Sequence, residues 1–169
     1  HPHSKRSTLC LLALDGLDVL LNGQPITSDD VEVIFGAYQL STVDPNFVLT
    51  GAEELLLATE PYESLSTSNI SVELSEAGKT TFHEAVNAAV AACVASVNFA
   101  AGCGIDMSGT LVDGTVLTDG TIGRTLSSDA QLALTNLNPV PAYDNVQHVE
   151  GDSIGGVQVT APCPSDPAA

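Results

Sequence analysis

The chain has no tryptophan, one methionine and only 4% aromatic residues. Its core must therefore be built from Val, Leu, Ile and Ala, a set that suits a β-rich fold better than a helical bundle. Positive charge is just as scarce: four Lys and Arg face 21 Asp and Glu, for a net charge of −17. Lys5 and Arg6 lie in the N-terminal arm, so only Lys79 and Arg124 oppose the acids further on. A field of this sign repels phosphate backbones and anionic bilayer surfaces, which excludes nucleic acid as a partner. Cationic partners, divalent ions and salty surroundings remain compatible with it. No apolar run approaches the ~18 residues of a membrane span, so no membrane insertion is expected.

Catalytic signatures are also missing. There is no Gly-x-Ser-x-Gly elbow for a hydrolytic nucleophile. The acids offer many carboxylate pairs, but a glycosidase also wants aromatic platforms, and three Tyr with no Trp supply few. A secreted hydrolase is therefore a minor alternative, and the chain is expected not to be an enzyme and to need no cofactor. No Cys-x-x-Cys spacing points to a zinc or redox site.

What is present indicates a folded, exported protein. Hydrophobic residues make up 44% of the chain, enough for a useful core. The cysteines at 10, 93, 103 and 163 form an even set, as expected of disulfides in an oxidising compartment. Of the three possible pairings the expected one joins Cys93 to Cys103 and Cys10 to Cys163, the first pinning a helix end to the next loop and the second tying the termini. The start "KRSTLCLLAL" has a basic front and an apolar run. Asp15 ends the run without a small-residue cleavage site, so the expectation is a chain whose export signal has already gone. Asn69-Ile70-Ser71 permits N-glycosylation without requiring it.

Turn and strand signals organise the rest. Residues 1–7 read as a loose arm, 8–161 as a single β-rich domain and 162–169 as a tail. Asp15-Gly16 and Asn22-Gly23 favour positive-φ turns, which predicts consecutive hairpins from Leu9 onward. "VEVIFGAYQLSTV", "FVLT", "ELLLAT" and "NISVEL" read as further strands, as do "AQLALTNL" and "VQVTA" toward the end. Between them Phe82, Val86, Val90, Cys93, Val94 and Val97 recur at helical spacing, with Thr81 and Glu84 as a capping box. The expected class is α+β: mainly antiparallel β, sandwich-like, with one helix near 80–98 and disulfide staples.

Two motifs bear on metals. "LVDGTVLTDGTIG" repeats a six-residue phrase in which Asp113 and Asp119 are candidate calcium ligands. Hard oxygen sites want about 6–8 ligands and two carboxylates supply few, so three short strands joined at Asp-Gly turns is the expected reading. His1 is a candidate copper ligand through its amine and ring, with His83 or His148 as a further nitrogen donor. The rival amino-terminal copper motif is blocked because Pro2 has no amide proton.

An apolar-Gly-x-Tyr element, "FGAY" at 35–38, precedes a helix reaching Cys93 and the loop "AAGCG" at 100–104, with β text on both sides. Over roughly residues 12–160 this arrangement resembles uncharacterised extracytoplasmic domains of actinobacterial envelope proteins. It departs from them at Gly104, where such domains often have Pro, and in the later strand, which lacks their usual Trp. The resemblance implies an envelope location and a binding or structural role, with no catalytic residues to carry over. The expected function is a secreted or cell-envelope, non-catalytic module that binds a protein or cell-surface partner, possibly itself. The alternative is a subunit of an extracellular filament assembled by strand exchange.

Overall fold

A computed structural model describes residues 6–11, 14 and 16–162. These form fourteen strands and two helices, an α+β arrangement of small, mainly antiparallel sheets. In chain order the strands are β1 (Ser7–Cys10), β2 (Val19–Leu21), β3 (Gln24–Pro25), β4 (Asp30–Val33), β5 (Gly36–Tyr38), β6 (Leu40–Thr42), β7 (Phe47–Thr50), β8 (Leu56–Ala58), β9 (Ser64–Leu65) and β10 (Ser71–Leu74). Helix α1 (Glu76–Ala95) follows, then β11 (Gly123–Leu126), α2 (Ser128–Thr135), β12 (Val140–Pro141), β13 (Val149–Glu150) and β14 (Val157–Thr160). The chain divides into two compact units. One comprises residues up to Phe82 with Pro139–Gly151; the other comprises His83–Asn138 and the residues from Asp152 onward.

In the first unit β1 lies between β4, antiparallel, and β9, parallel, with Leu9 opposite both Val31 and Leu65. Period-two alternation explains its burial: Ser7 and Leu9 point inward and Thr8 outward. Leu9, Leu11, Leu14, Val19, Val33, Leu40 and Leu65 belong to one buried cluster made of aliphatic side chains and alanine. Asp15 of the predicted Asp15-Gly16 turn lies outside the described residues, and β2 pairs with β3 and β6 rather than with β1. Leu11 and Leu14 are both buried, and the Leu14 N–H donates to the Leu11 C=O at 2.8 Å. Strand β1 therefore ends at Cys10, and Leu11 and Leu14 beyond it belong to the core. The Asn22-Gly23 hairpin does form: both residues have positive φ, 50° and 77°, as a two-residue turn between right-twisted strands requires.

Helix α1 begins five residues before the expected cap. Ser75 is the capping residue: its Oγ accepts the Gly78 N–H at 3.0 Å and donates to the Pro45 carbonyl at 2.6 Å. Thr81 lies inside the helix, where its hydroxyl donates to the Ala77 carbonyl at 3.0 Å, so the Thr81–Glu84 capping box is not formed. A glycine in a first helical turn is a poor sign of helix. Here close packing demands it, because a Cβ at Gly78 would lie 2.1 Å from the Asn46 carbonyl oxygen.

The second unit holds the largest departure from expectation. "AQLALTNL", read as a strand, lies mostly within α2, so two helices stand where one is expected. Ser127 caps it, its side chain accepting the Ala130 N–H, and Asn136 closes its end. Local hydrogen bonding outweighed the alternating leucines, one of which, Leu132, stays 64% exposed. Strands β11 and β14 pair antiparallel, with Arg124 opposite Val159. Cys93, Leu117, Ile122, Ala130 and Leu137 are the buried apolar residues around which this unit closes.

Candidate functional site

The densest polar construction in the second unit surrounds the loop after α1. Cys93, near the end of the helix, is bonded to Cys103, closing a segment with a sequence separation of ten. Arg124 in β11 is only 4% exposed, and its guanidinium reaches into that segment. Nη1 donates to the Ser96 carbonyl at 2.7 Å, while Nη2 donates to the carbonyls of Phe99 and Ile105 at 3.2 and 3.3 Å. Its Nε is buried without a partner among the described residues. In a chain so rich in carboxylates, its partners among the described residues are all carbonyl oxygens. The guanidinium is thus a scaffold fork: five donors in a rigid plane, several used to hold a loop that has no secondary structure of its own.

The Asp-Gly repeat takes part in the same construction, with the two aspartates in different roles. Asp119 Oδ1 accepts the Phe99 backbone N–H at 2.6 Å, tying the second turn to the disulfide loop. Asp113 Oδ1 accepts the Thr115 N–H at 2.9 Å and closes its own turn, in which Gly114 has φ 88°. The Thr115 backbone N–H, followed by its hydroxyl, favours the charged form and lowers the Asp113 pKa from its ordinary value. That contribution is present above the ordinary carboxyl pKa and fades as pH falls through the lowered one. The expected three-strand meander is reduced to a single isolated bridge, Thr110 with Val116, ahead of β11. These are short turns held by side-chain and backbone bonds.

The other candidates are dispersed. Among the described residues no group of three or more His, Cys, Asp or Glu side chains gathers where it could hold a metal ion. His83 lies in α1, in the second unit, and His148 lies just before β13, in the first. His148 is exposed, with Nε2 3.9 Å from Glu150 Oε1. His1 and Cys163 lie outside the described residues, so the His1 copper proposal and the Cys10–Cys163 bridge fall there too. Cys10 has no disulfide partner among the described residues. No described helix is long and apolar enough to cross a membrane. In the sequence Arg124 stands out only as one of two cations beyond the arm, and its scaffold role is not foreseen. Its one available signal was a lone cation on strand text, downstream of a cysteine-closed loop.

Two concave surfaces accompany this scaffold. In the second unit an apolar cleft of about 450 Å³ is lined by Val90 and Val94 of α1, Leu126 of β11, and Gln131 and Leu134 of α2. In the first unit a groove of about 510 Å³ runs between the β2–β3 hairpin and β4, with Leu21, Ile26 and Val31 as apolar lining and Asp30 and Glu32 as acidic lining. No known protein family, curated protein or solved structure matches this chain.

The repeat supports a direct test. Asp119→Ala should destabilise the protein by about 1 kcal/mol, because the Phe99 N–H loses its acceptor. Asp119→Asn should cost clearly less, since the amide oxygen can take the same bond. Asp113→Asn should leave the midpoint nearly unchanged, because Asn serves the same turn. Calcium and sodium chloride at matched ionic strength should raise the thermal midpoint equally. A calcium-specific rise abolished by Asp113→Asn or Asp119→Asn would make the repeat an ion site.

Proposed function

We propose that this chain is a secreted or cell-envelope module, non-catalytic, whose task is binding or assembly. One observation carries the reading: the buried cation of the second unit and a carboxylate of its Asp-Gly repeat are spent on scaffold. Arg124 and Asp119 hold the loop that Cys93–Cys103 closes, through the bonds described above. A disulfide of this kind is compatible with an oxidising compartment. The acidic charge fits a protein kept soluble outside the cell. The resemblance to extracytoplasmic envelope domains points the same way.

A filament subunit is the second reading, favoured by the small sheets. The β5–β8 and β11–β14 pairs are each two-stranded, and an outer edge of such a pair is where a neighbour's strand would add. Light scattering on the purified, oxidised chain separates the two. The binding module should give a discrete species with the 17.3 kDa mass of one chain. Open-ended polymers that grow with concentration would transfer the assignment to the filament.

A further inference from the structure

We propose that the groove between the β2–β3 hairpin and β4 is a docking site for an extended, basic segment of a partner polypeptide, which adds to the β4 edge. The proposal rests on the reading of the chain as a binding module and names the surface and the partner chemistry. Three features converge here. First, β4 is the outer strand of the β4-β1-β9 sheet and β3 the outer strand of β3-β2-β6, so the groove lies between two edges. An edge strand offers backbone donors and acceptors to an extended peptide; in β4 the Asp30 carbonyl already accepts the Ser28 hydroxyl at 3.0 Å, an exposed bond that an N–H of the added strand would replace. Second, alternation along β4 sorts its side chains. Val33 is buried and Val31 packs against the core, while Asp30 and Glu32 are exposed.

The two carboxylates, two residues apart on one strand face, are spaced at about 6.6 Å of strand rise. Side chains two apart on an added strand have the same spacing. The matching segment therefore carries Lys or Arg at alternate positions, with an apolar residue between them turned toward Leu21, Ile26 and Val31. Third, the chain already places a cation there: the Arg6 guanidinium donates to the Glu32 carboxylate. Both side chains of that pair remain more than half exposed, at 57% and 63%. An exposed pair of this kind is worth little, so a partner's cation can replace Arg6 at small cost. The occupant is not a second copy of this chain, whose charge of −17 would set acid against acid.

The test must separate a fitted site from the diffuse pull of the whole chain on any cation. The probe is a labelled heptapeptide, Thr-Val-Lys-Val-Lys-Val-Thr with blocked ends, followed by fluorescence anisotropy. Its control is Thr-Val-Val-Lys-Lys-Val-Thr, identical in charge and composition with the lysines adjacent. The alternating peptide should bind roughly fivefold or more tightly than the control. The Asp30→Asn/Glu32→Gln double variant should lose that advantage. A Glu53→Gln/Glu54→Gln double variant, with the same change in net charge, should change binding less than about twofold. Arg6→Ser, which frees Glu32, should tighten binding by roughly twofold. Circular dichroism confirms that each variant is folded, and all the replaced side chains are exposed. Equal binding of the two peptides, equal loss in the two double variants, or no binding of the alternating peptide would each overturn the groove assignment. None of these results changes the mass of the free chain, so the module reading stands or falls separately.

Discussion

Replacing Arg124 with leucine should lower the unfolding free energy by about 3 kcal/mol or more, the largest loss expected of any substitution considered. The reason is the asymmetry of buried hydrogen bonds. Leucine suits the site in size and polarity, since Arg124 is 4% exposed, but it leaves the carbonyls of Ser96, Phe99 and Ile105 without their donor. The Phe99 oxygen keeps the Met107 N–H at 3.0 Å, but those of Ser96 and Ile105 must then find water or remain unpaired, at about 1–3 kcal/mol for any that stays buried. Arg124→Lys keeps the charge but replaces a planar fork by a single ammonium, so it should recover less than half of the loss. Urea unfolding of the oxidised protein measures both. A second readout locates the damage: limited proteolysis should cut the 96–105 segment much faster in the leucine variant while the β1–β4 region stays resistant. Equal stability of Arg124→Leu and the parent would mean that the loop is held by something other than this guanidinium.

Features closed by a few neighbouring residues were legible in the sequence. Asn22-Gly23 announces its turn because two adjacent positive-φ residues have few other uses. Cys93 and Cys103 announce their bond because they lie close together with no rival partner near them. The α+β class followed from the same local signals. Burial depends on distant partners, and there the reading failed. Leu11 and Leu14 extend an apolar run that looks like strand, yet they turn into a core shared with Val33 and Leu40. The parallel pairing of β1 with β9 joins residues more than fifty positions apart, and no turn signal encodes it.

The second helix and the Arg124 fork were hidden for opposite reasons. In α2 the leucines at 132 and 134 alternate as in a strand, while the decisive signal was a single serine at 127 accepting the Ala130 N–H. Hydrophobic pattern was given more weight than capping chemistry. Arg124 was passed over because a lone cation among acids reads as solvent-exposed charge. Its burial follows from what the loop lacks. Residues 96–105 carry carbonyls without a regular ladder to satisfy them, and a buried fork of donors is one of few ways to do so. Asp119 belongs to the same account: it supplies an acceptor where Arg124 supplies donors.

Removing the disulfide by Cys93→Ala with Cys103→Ala should cost about 2.5–3 kcal/mol on the chain-entropy estimate for a loop of this length. Cys93 is buried at 6% exposure, so the alanine there adds a small packing loss to the entropic one. The informative quantity is the coupling between this pair and Arg124. Both restrain the same segment, the bond by closing its ends and the guanidinium by holding Ser96 and Phe99 within it and Ile105 just beyond it. If the loop frays once the bond is gone, the Arg124 hydrogen bonds are already partly lost, and Arg124→Leu has less left to remove. The two effects should then combine to less than their sum by about 1 kcal/mol, which a double-mutant cycle in urea measures directly. Strict additivity would show that the guanidinium organises the loop without help from the disulfide. The same cycle should separate the two compact units. Substitutions in the second unit should shift one unfolding transition and leave another, probed by exchange of the β1 and β4 amides, nearly unmoved. A single transition carrying the whole shift would mean that the chain unfolds as one cooperative body.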